Sequence, residues 1–361
     1  MSDNKETFMK IAFVTELFPP SIGGQEIRYA ELIPHLISRG HTVALACIDH
    51  QGGLPTHEDF AGASVDRLVS DPTYKVKGKL FPRNPRTILK FRAAARAWLK
   101  AQNPDVVIYN QWPIVPAFTG RQDAKLSILD ICEFRSGSIW NAMETKMVRG
   151  CHRVVTVSQA LADITSRRWP GTIVRAIPSG INVASYANQG REHFLFMGRL
   201  EAHKHPEIAI ASTLRYNEMT GADKKIVVVG GGAMKAELQA QYEGNPNVQI
   251  CGFVSDEEKY RILTQSELHL LPSIREGFPR GIAECMASGT PTVTTESPDN
   301  GSKDVVRQFD VGVVTELGVG PFAQGIADAL ADYDRLSANC EATKWELDWG
   351  RLTDNLIEFI Q

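Results

Sequence analysis

The chain has 361 residues, 43% of them hydrophobic and 22% charged, with a formal net charge of −3. That length favours two domains and supports large cores without staples, while the charge balance speaks against a general nucleic-acid binder. The six cysteines, Cys47, Cys132, Cys151, Cys251, Cys285 and Cys340, include no CxxC pair, so zinc and dithiol motifs are unsupported. They are expected as buried thiols of a reducing compartment. The opening MSDNKETF is polar, so no signal peptide is expected. No apolar run approaches the roughly 20 residues that span a bilayer.

Short β-branched runs alternate with amphipathic stretches along the whole chain, the pattern of a parallel α/β architecture. The run 9–16 (MKIAFVTE) is expected as a buried strand, followed by a helix over 25–39 in which Pro34 is an awkward residue. Gly40 ends that helix and 42–48 is the next strand, with 105–109, 125–130 and 153–157 continuing the series. The polar stretch 187–192 (ANQGRE) is expected as a linker. A second series follows, with strands at 194–197, 225–229, 248–251, 268–271, 292–294 and 312–315, and a terminal helix over 352–360.

Four loops have residue types suited to chemistry. In 18–26 (FPPSIGGQE), Gly23 and Gly24 precede a helix whose free N–H groups suit an anion; a simple glycine turn fits equally well. In 225–238 (KIVVVGGGAMKAEL), Lys235 stands where a dinucleotide fingerprint has its third glycine, which favours a plain strand-to-helix turn. In 198–205 (GRLEAHKH), Arg199 and Lys204 form a cation pair on one strand-end loop, suited to a diphosphate. His203 and His205 flank Lys204 without the spacing of a metal site. In 272–291 (PSIREGFPRGIAECMASGTP), Glu276 in a loop and Glu284 on a helix are carboxylates suited to sugar and ribose hydroxyls. A helix cap and a solvated face are the plain alternatives for these two.

In this order, the four motifs resemble the retaining GT-B glycosyltransferases related to bacterial mannosyl- and glucosyltransferases of glycolipid, capsule and lipopolysaccharide assembly. EGFPRGIAE with ASGTPTV behind it is the strongest element, followed by GRLEAHKH, by TVSQALADI with IPSGIN, and by FPPSIGGQE. The resemblance implies two Rossmann-like domains facing each other across a cleft. These are an N-terminal acceptor domain over 1–186, completed by a helix at 345–361 that crosses back to it, and a donor domain over 187–344.

It further implies transfer of a hexose from a nucleotide-diphosphate sugar to a glycan or lipid-linked acceptor, without a resident cofactor or metal. Arg199 and Lys204 match the residues that neutralise the donor diphosphate, Glu276 the one that contacts sugar hydroxyls, and Glu284 the one that holds the ribose. Glu276, Arg199 and Lys204 are therefore the expected catalytic set. The backbone of Gly277, Phe278 and Pro279 matches a sugar contact. Gly252, Phe253 and Val254 match the loop that frames the base, and Gly23 and Gly24 face phosphates or acceptor. Two departures stand out. The stretch 128–135 (ILDICEFR) lacks a histidine common in the family, leaving Asp130 or Glu133 for the acceptor side. Ser179 and Asn182 replace the usual asparagine and aspartate of the linker entry.

The stretch 75–100 carries Lys75, Lys77, Lys79, Arg83, Arg86, Lys90, Arg92, Arg96 and Lys100 with no acidic residue, while Ile88, Phe91, Ala95 and Trp98 share a helical face. It suits an anionic lipid surface, or equally a solvated helix with a packed inner stripe. The expected setting is cytoplasmic, with peripheral contact at the inner face of the plasma membrane. The alternatives are a soluble small-molecule acceptor, a nucleotide-sugar epimerase, which needs carboxylates and a histidine not found here, and a non-catalytic nucleotide-sugar binder.

Overall fold

A computed structural model describes residues 8–21, 23–75, 83–135, 137–186 and 189–361. The chain divides into two compact units, Met1–Pro178 with Leu352–Gln361, and Ser179–Arg351. Residues 1–7, Lys77 and Lys79 of the basic stretch, and Ala187 and Asn188 of the expected linker lie outside the described residues. The division falls earlier than the expected 186/187 because Ile181 and Val183 are buried in the core of the second unit.

The first unit has strands β1 (Lys10–Val14), β2 (Thr42–Asp49), β3 (His57–Phe60), β4 (Ala63–Ser70), β5 (Val106–Asn110), β6 (Leu126–Ile131), β7 (Arg153–Thr156) and β8 (Ile173–Ala176). Its helices are α1 (Gly24–Ser38), α2 (Pro85–Gln102), α3 (Ser138–Gly150) and α4 (Gln159–Arg168). The sheet order is β3-β4-β2-β1-β5-β6-β7-β8, parallel except for the β3–β4 hairpin. Strands β1, β2, β5 and β6 are buried nearly throughout, as expected of parallel strands covered on both faces. Helix α1 runs through Pro34, which removes one donor. The buried face Tyr29, Leu32, Ile33 and Leu36 offsets that loss, at about 1.5–3 kcal/mol for each fully buried side chain.

The second unit has strands β9 (His193–Met197), β10 (Ile226–Val229), β11 (Val248–Gly252), β12 (Ser266–Leu271), β13 (Arg275–Glu276), β14 (Thr292–Thr295), β15 (Asp299–Asn300) and β16 (Gly312–Thr315). Its helices are α5 (Pro206–Thr220), α6 (Lys235–Gln241), α7 (Asp256–Thr264), α8 (Arg280–Ala287), α9 (Gly301–Phe309), α10 (Val319–Ala331) and α11 (Tyr333–Thr343). Six strands form a parallel sheet, β11-β10-β9-β12-β14-β16, and β13 pairs with β15 in a small separate sheet. Period-two alternation divides β9 between two cores: Phe194 and Phe196 pack on one face, Leu195 on the other.

The last helix, α12 (Trp349–Ile360), delivers Leu352–Gln361 to the first unit. Leu352, Leu356, Phe359 and Ile360 are buried. Arg153 donates to the Phe359 carbonyl, and Arg175 donates to the Asn355 carbonyl at 3.2 Å and pairs with Glu358 at 3.0 Å. Of the cysteines, Cys132 and Cys251 are only half-buried, and all six are free thiols.

Candidate donor site and the first unit's sheet edge

The C-terminal ends of parallel strands are where α/β folds place ligands, and the second unit gathers its charged motif residues there. Lys204 sits in the short 3-10 turn Ala202–Lys204 after β9, and its Nζ pairs with Glu276 Oε1 on β13; both side chains are nearly buried. Glu276 is held by the register Glu276↔Asn300. The approach to β13 is pinned by Thr295 Oγ1 donating to the Ser273 carbonyl at 2.6 Å and Ser297 Oγ to the Ile274 carbonyl at 2.7 Å. The Ile274 N–H donates to the His203 carbonyl at 2.9 Å, which ties the two loops together. An ammonium carries three donors, so Lys204 retains hydrogen-bonding capacity beyond Glu276. Arg199, on the same loop, is exposed and has no ion pair among the described residues.

Glu284 lies one turn into α8 and is buried. Its Oε1 accepts from Lys259 Nζ at 3.2 Å and from Arg280 Nε at 3.4 Å. The two glutamates thus occupy separate charge environments. The backbone of Gly277, Phe278 and Pro279 joins them, with Pro279 as the N-cap of α8. Past β11, Gly252 has φ +75° and Phe253 is 87% exposed, its ring across Gly231; Val254 is partly buried.

The 230–232 glycines serve packing. A Cβ on Gly230 would lie 1.9 Å from the Gly198 carbonyl oxygen, and one on Gly232 would lie 2.4 Å from that of Leu200. Close backbone approach to the Arg199 loop explains this incomplete fingerprint.

Beneath this loop cluster, His269 on β12 is fully buried, with Nδ1 3.2 Å from Thr292 Oγ1. Burial, reinforced by the Lys204 charge, lowers its pKa from 6.5 to about 3. The unfolded chain therefore takes up this proton from pH 6.5 downward while the folded one does not until about pH 3. This contribution to stability is complete above pH 6.5 and is lost progressively on acidification to about pH 3. At pH 5 the loss is about 2 kcal/mol. His269→Gln should flatten the fall in urea midpoint between pH 7 and pH 5; an unchanged slope contradicts this account.

In the first unit, Gly23 is the N-cap of α1 in extended conformation, and Glu26 folds back to within 2.3 Å of where its Cβ would be. A Cβ on Gly24 would meet nothing within 4 Å, so packing does not require that glycine. Glu26 has a raised pKa, chiefly from burial.

Asp130 lies near the end of β6. It is 2% exposed and its Oδ2 accepts from Arg28 Nε at 3.2 Å and Tyr29 OH at 3.0 Å. Arg28, equally buried, also donates to the carbonyls of Pro178 at 2.7 Å and Ile177 at 2.9 Å. Asp130 thus neutralises an arginine that sequence spacing did not connect to it, while its Oδ1 is buried without a hydrogen-bond partner among the described residues. Glu133 is half-exposed and pairs with Arg135 at 3.3 Å. Gln111 fixes its backbone, with Nε2 donating to the Glu133 carbonyl at 2.6 Å.

Two family models match, Glycosyltransferase Family 4 over 22–185 and Glycosyl transferases group 1 over 182–344, and together they run without a gap from 22 to 344. This chain is a glycosyltransferase, its first half matching family 4 and its second half group 1. It is 25% identical over 365 residues to an uncharacterized glycosyltransferase of Methanocaldococcus jannaschii, covering 90% of each chain. It is 22% identical over 340 residues to a GDP-mannose-dependent alpha-mannosyltransferase of Mycolicibacterium smegmatis, covering 86% of this chain and 85% of that one. Sucrose-phosphate synthase of Thermosynechococcus elongatus shares the GT-B fold, with a TM-score of 0.78 at 18% identity, over 97% of this chain and 98% of that one.

As a glycosyltransferase, the chain moves a sugar from a nucleotide-sugar donor. Among the described residues no group of three or more His, Cys, Asp or Glu is placed to hold a metal, and no helix is long and apolar enough to cross a membrane. Lys259 and Arg280 were missed in the sequence. Arg280 precedes Glu284 by one helical turn and was legible as an i,i+4 pair; Lys259 reaches Glu284 from another helix, and no local spacing signals it.

Proposed function

We propose that this glycosyltransferase retains anomeric configuration and moves a hexose from a nucleotide-diphosphate sugar to a glycan or lipid-linked acceptor. The observation that carries the reading is the Lys204–Glu276 pair beside exposed Arg199, with Glu284 held separately by Lys259 and Arg280. In this reading Arg199 and Lys204 neutralise the diphosphate as it leaves. A preorganised cation does this without reorganising at the moment of reaction. Glu276 accepts from hydroxyls of the transferred sugar while its other partner, Lys204, touches the phosphate, so a single ion pair aligns both halves of the breaking bond. Glu284 accepts from the ribose. The backbone of Gly277–Pro279 lines the sugar, and Gly252, Phe253 and Val254 frame the base. The name of the mycobacterial relative, with GDP-mannose as donor and an alpha linkage, supports a hexose donor.

Retention follows if a donor phosphate oxygen takes the acceptor's proton on the face the leaving group vacates, so that no protein base is required. The setting is the cytoplasmic side of a membrane, with peripheral contact through the basic helix α2. The test is incubation with UDP-, GDP- and ADP-hexoses and glycan or lipid-linked acceptors, in excess EDTA, with the product's anomeric proton read by NMR. Retained configuration and EDTA-resistant turnover are expected. An inverted product, a loss of turnover with chelator, or transfer to small soluble acceptors alone overturns the corresponding part.

A further inference from the structure

Lys235 stands where a dinucleotide fingerprint would carry its third glycine, and the packing of the 230–232 glycines gives it no part. It is the first residue of α6, and Leu238 and Gln239 occupy the positions one turn on, so its own helix supplies no facing carboxylate. The side chain is half-buried, and its ammonium makes no ion pair or hydrogen bond among the described residues. It runs instead to the end of β11. A Cβ on Gly252 would lie 2.5 Å from Lys235 Nζ and 3.0 Å from its Cε. Gly252, at φ +75°, therefore leaves the space in which this ammonium sits. An ammonium carries three donors and no acceptor, so Lys235 is a positioned donor whose acceptor must come from a ligand.

The next residue after Gly252, Phe253, is the most exposed large apolar side chain among the described residues. Its ring is backed by Gly231, where any Cβ would collide with it, and at 87% exposure the rest of the ring is open. Every base has a π-face, so a ring of this kind stacks on bases without choosing among them. Choice comes from the polar edge of the base. Guanine presents O6 and N7 as acceptors and uracil presents O4, whereas adenine and cytosine each present an amino group there. An ammonium pairs with a keto oxygen and opposes an amino group, because both of the latter are donors. Gly252 thus joins a stacking surface to a donor that distinguishes the two kinds of base.

We propose that Lys235 selects the base of the donor, favouring nucleoside diphosphates of the keto bases, uracil or guanine, over those of adenine and cytosine. The proposal rests on the reading that Gly252, Phe253 and Val254 frame the base, and adds to it a residue outside that loop and a direction of choice.

Calorimetry of the full chain with UDP, GDP, ADP and CDP tests it. The parent should bind UDP or GDP roughly tenfold or more tightly than both ADP and CDP, the scale of one hydrogen bond to a charged group. Lys235→Met keeps a long unbranched side chain and removes the charge. It should lower affinity for the preferred diphosphate by roughly that same tenfold and leave affinity for ADP and CDP as it was. Lys235→Arg should restore the preference, since a guanidinium meets the same acceptors. A parent that binds all four alike, or that prefers ADP or CDP, overturns the proposal. A loss in Lys235→Met that is equal for all four and for inorganic pyrophosphate also overturns it, making Lys235 a phosphate contact. Phe253→Ala, at an exposed position, tests the underlying reading separately and should weaken all four diphosphates together. If it weakens none, the base lies elsewhere and both readings fall. If it weakens all four while Lys235→Met keeps the ratios between them, the base reading stands and the proposal falls.

Discussion

Glu276→Ala should reduce sugar transfer by about 10²-fold or more, the scale of a misplaced reacting centre, while leaving affinity for the free nucleoside diphosphate unchanged or slightly raised. The reason is the partner arrangement. Glu276 holds Lys204 in the resting structure, so its removal releases an ammonium for phosphate while taking away the acceptor that orients the sugar. Glu284→Ala should act in the opposite way. Its carboxylate is buried between Lys259 and Arg280, and a lost hydrogen bond to a charged group costs about 1.5–3 kcal/mol. Nucleoside-diphosphate affinity should therefore fall roughly tenfold or more. Arg199→Ala should resemble Glu284→Ala for the free diphosphate, through loss of a phosphate contact. Calorimetry with UDP, GDP and ADP, alongside initial rates at saturating donor, separates the outcomes. Equal losses of nucleotide affinity in the two glutamate variants would refute the division of labour, and full turnover in Glu276→Ala would remove that residue from the site.

How far the sequence revealed this arrangement depends on how local each signal was. Strands β1, β2, β5 and β6 were legible because parallel strands buried on both faces appear as unbroken apolar runs. Helix α8 was legible as the helix that carries Glu284, and it begins at Arg280. The hairpin β3–β4 was missed because its first strand, HEDF, is largely polar, although burial alternates cleanly along β4. Helix α3 was missed because it opens on Gly137 without a side-chain cap and mixes apolar with charged residues. In the candidate site, the motifs pick out Arg199, Lys204, Glu276 and Glu284 by number, but not their pairing: Lys204 and Glu276 are far apart in sequence, and their loops are joined by the Ile274 N–H donating to the His203 carbonyl. The same limit hid the partner of Asp130. A carboxylate at the end of a parallel strand invites a ligand contact, and the neutralising Arg28 lies on a helix distant in sequence, which no spacing rule connects to it.

That buried pair carries the largest expected effect on stability. Arg28, on α1, is bound at once to Asp130 of β6 and to the carbonyls of Ile177 and Pro178, where the chain leaves the first unit. One guanidinium thus ties a helix, a central strand and the exit segment. Removing one member of a buried ion pair leaves the other charge uncompensated, at about 3–5 kcal/mol, whereas replacing both by apolar groups of similar volume is often neutral. Asp130→Leu alone should therefore destabilise the first unit by about that amount. Arg28→Met alone should do likewise, and in addition frees the two carbonyls. The double variant Arg28→Met/Asp130→Leu should recover much of the loss, though less than all, since Tyr29 OH then lacks the acceptor it has at 3.0 Å and the 177–178 carbonyls remain without their donor. A double-mutant cycle in urea isolates the coupling, and hydrogen exchange at the β1 and β6 amides assigns the transition to the first unit. Additive losses would show that the pair is not coupled. An Asp130→Asn variant that unfolds like the parent but has lost turnover would return Asp130 to the acceptor side, because a side chain that only holds Arg28 in place cannot lose catalysis while keeping the stability it provides.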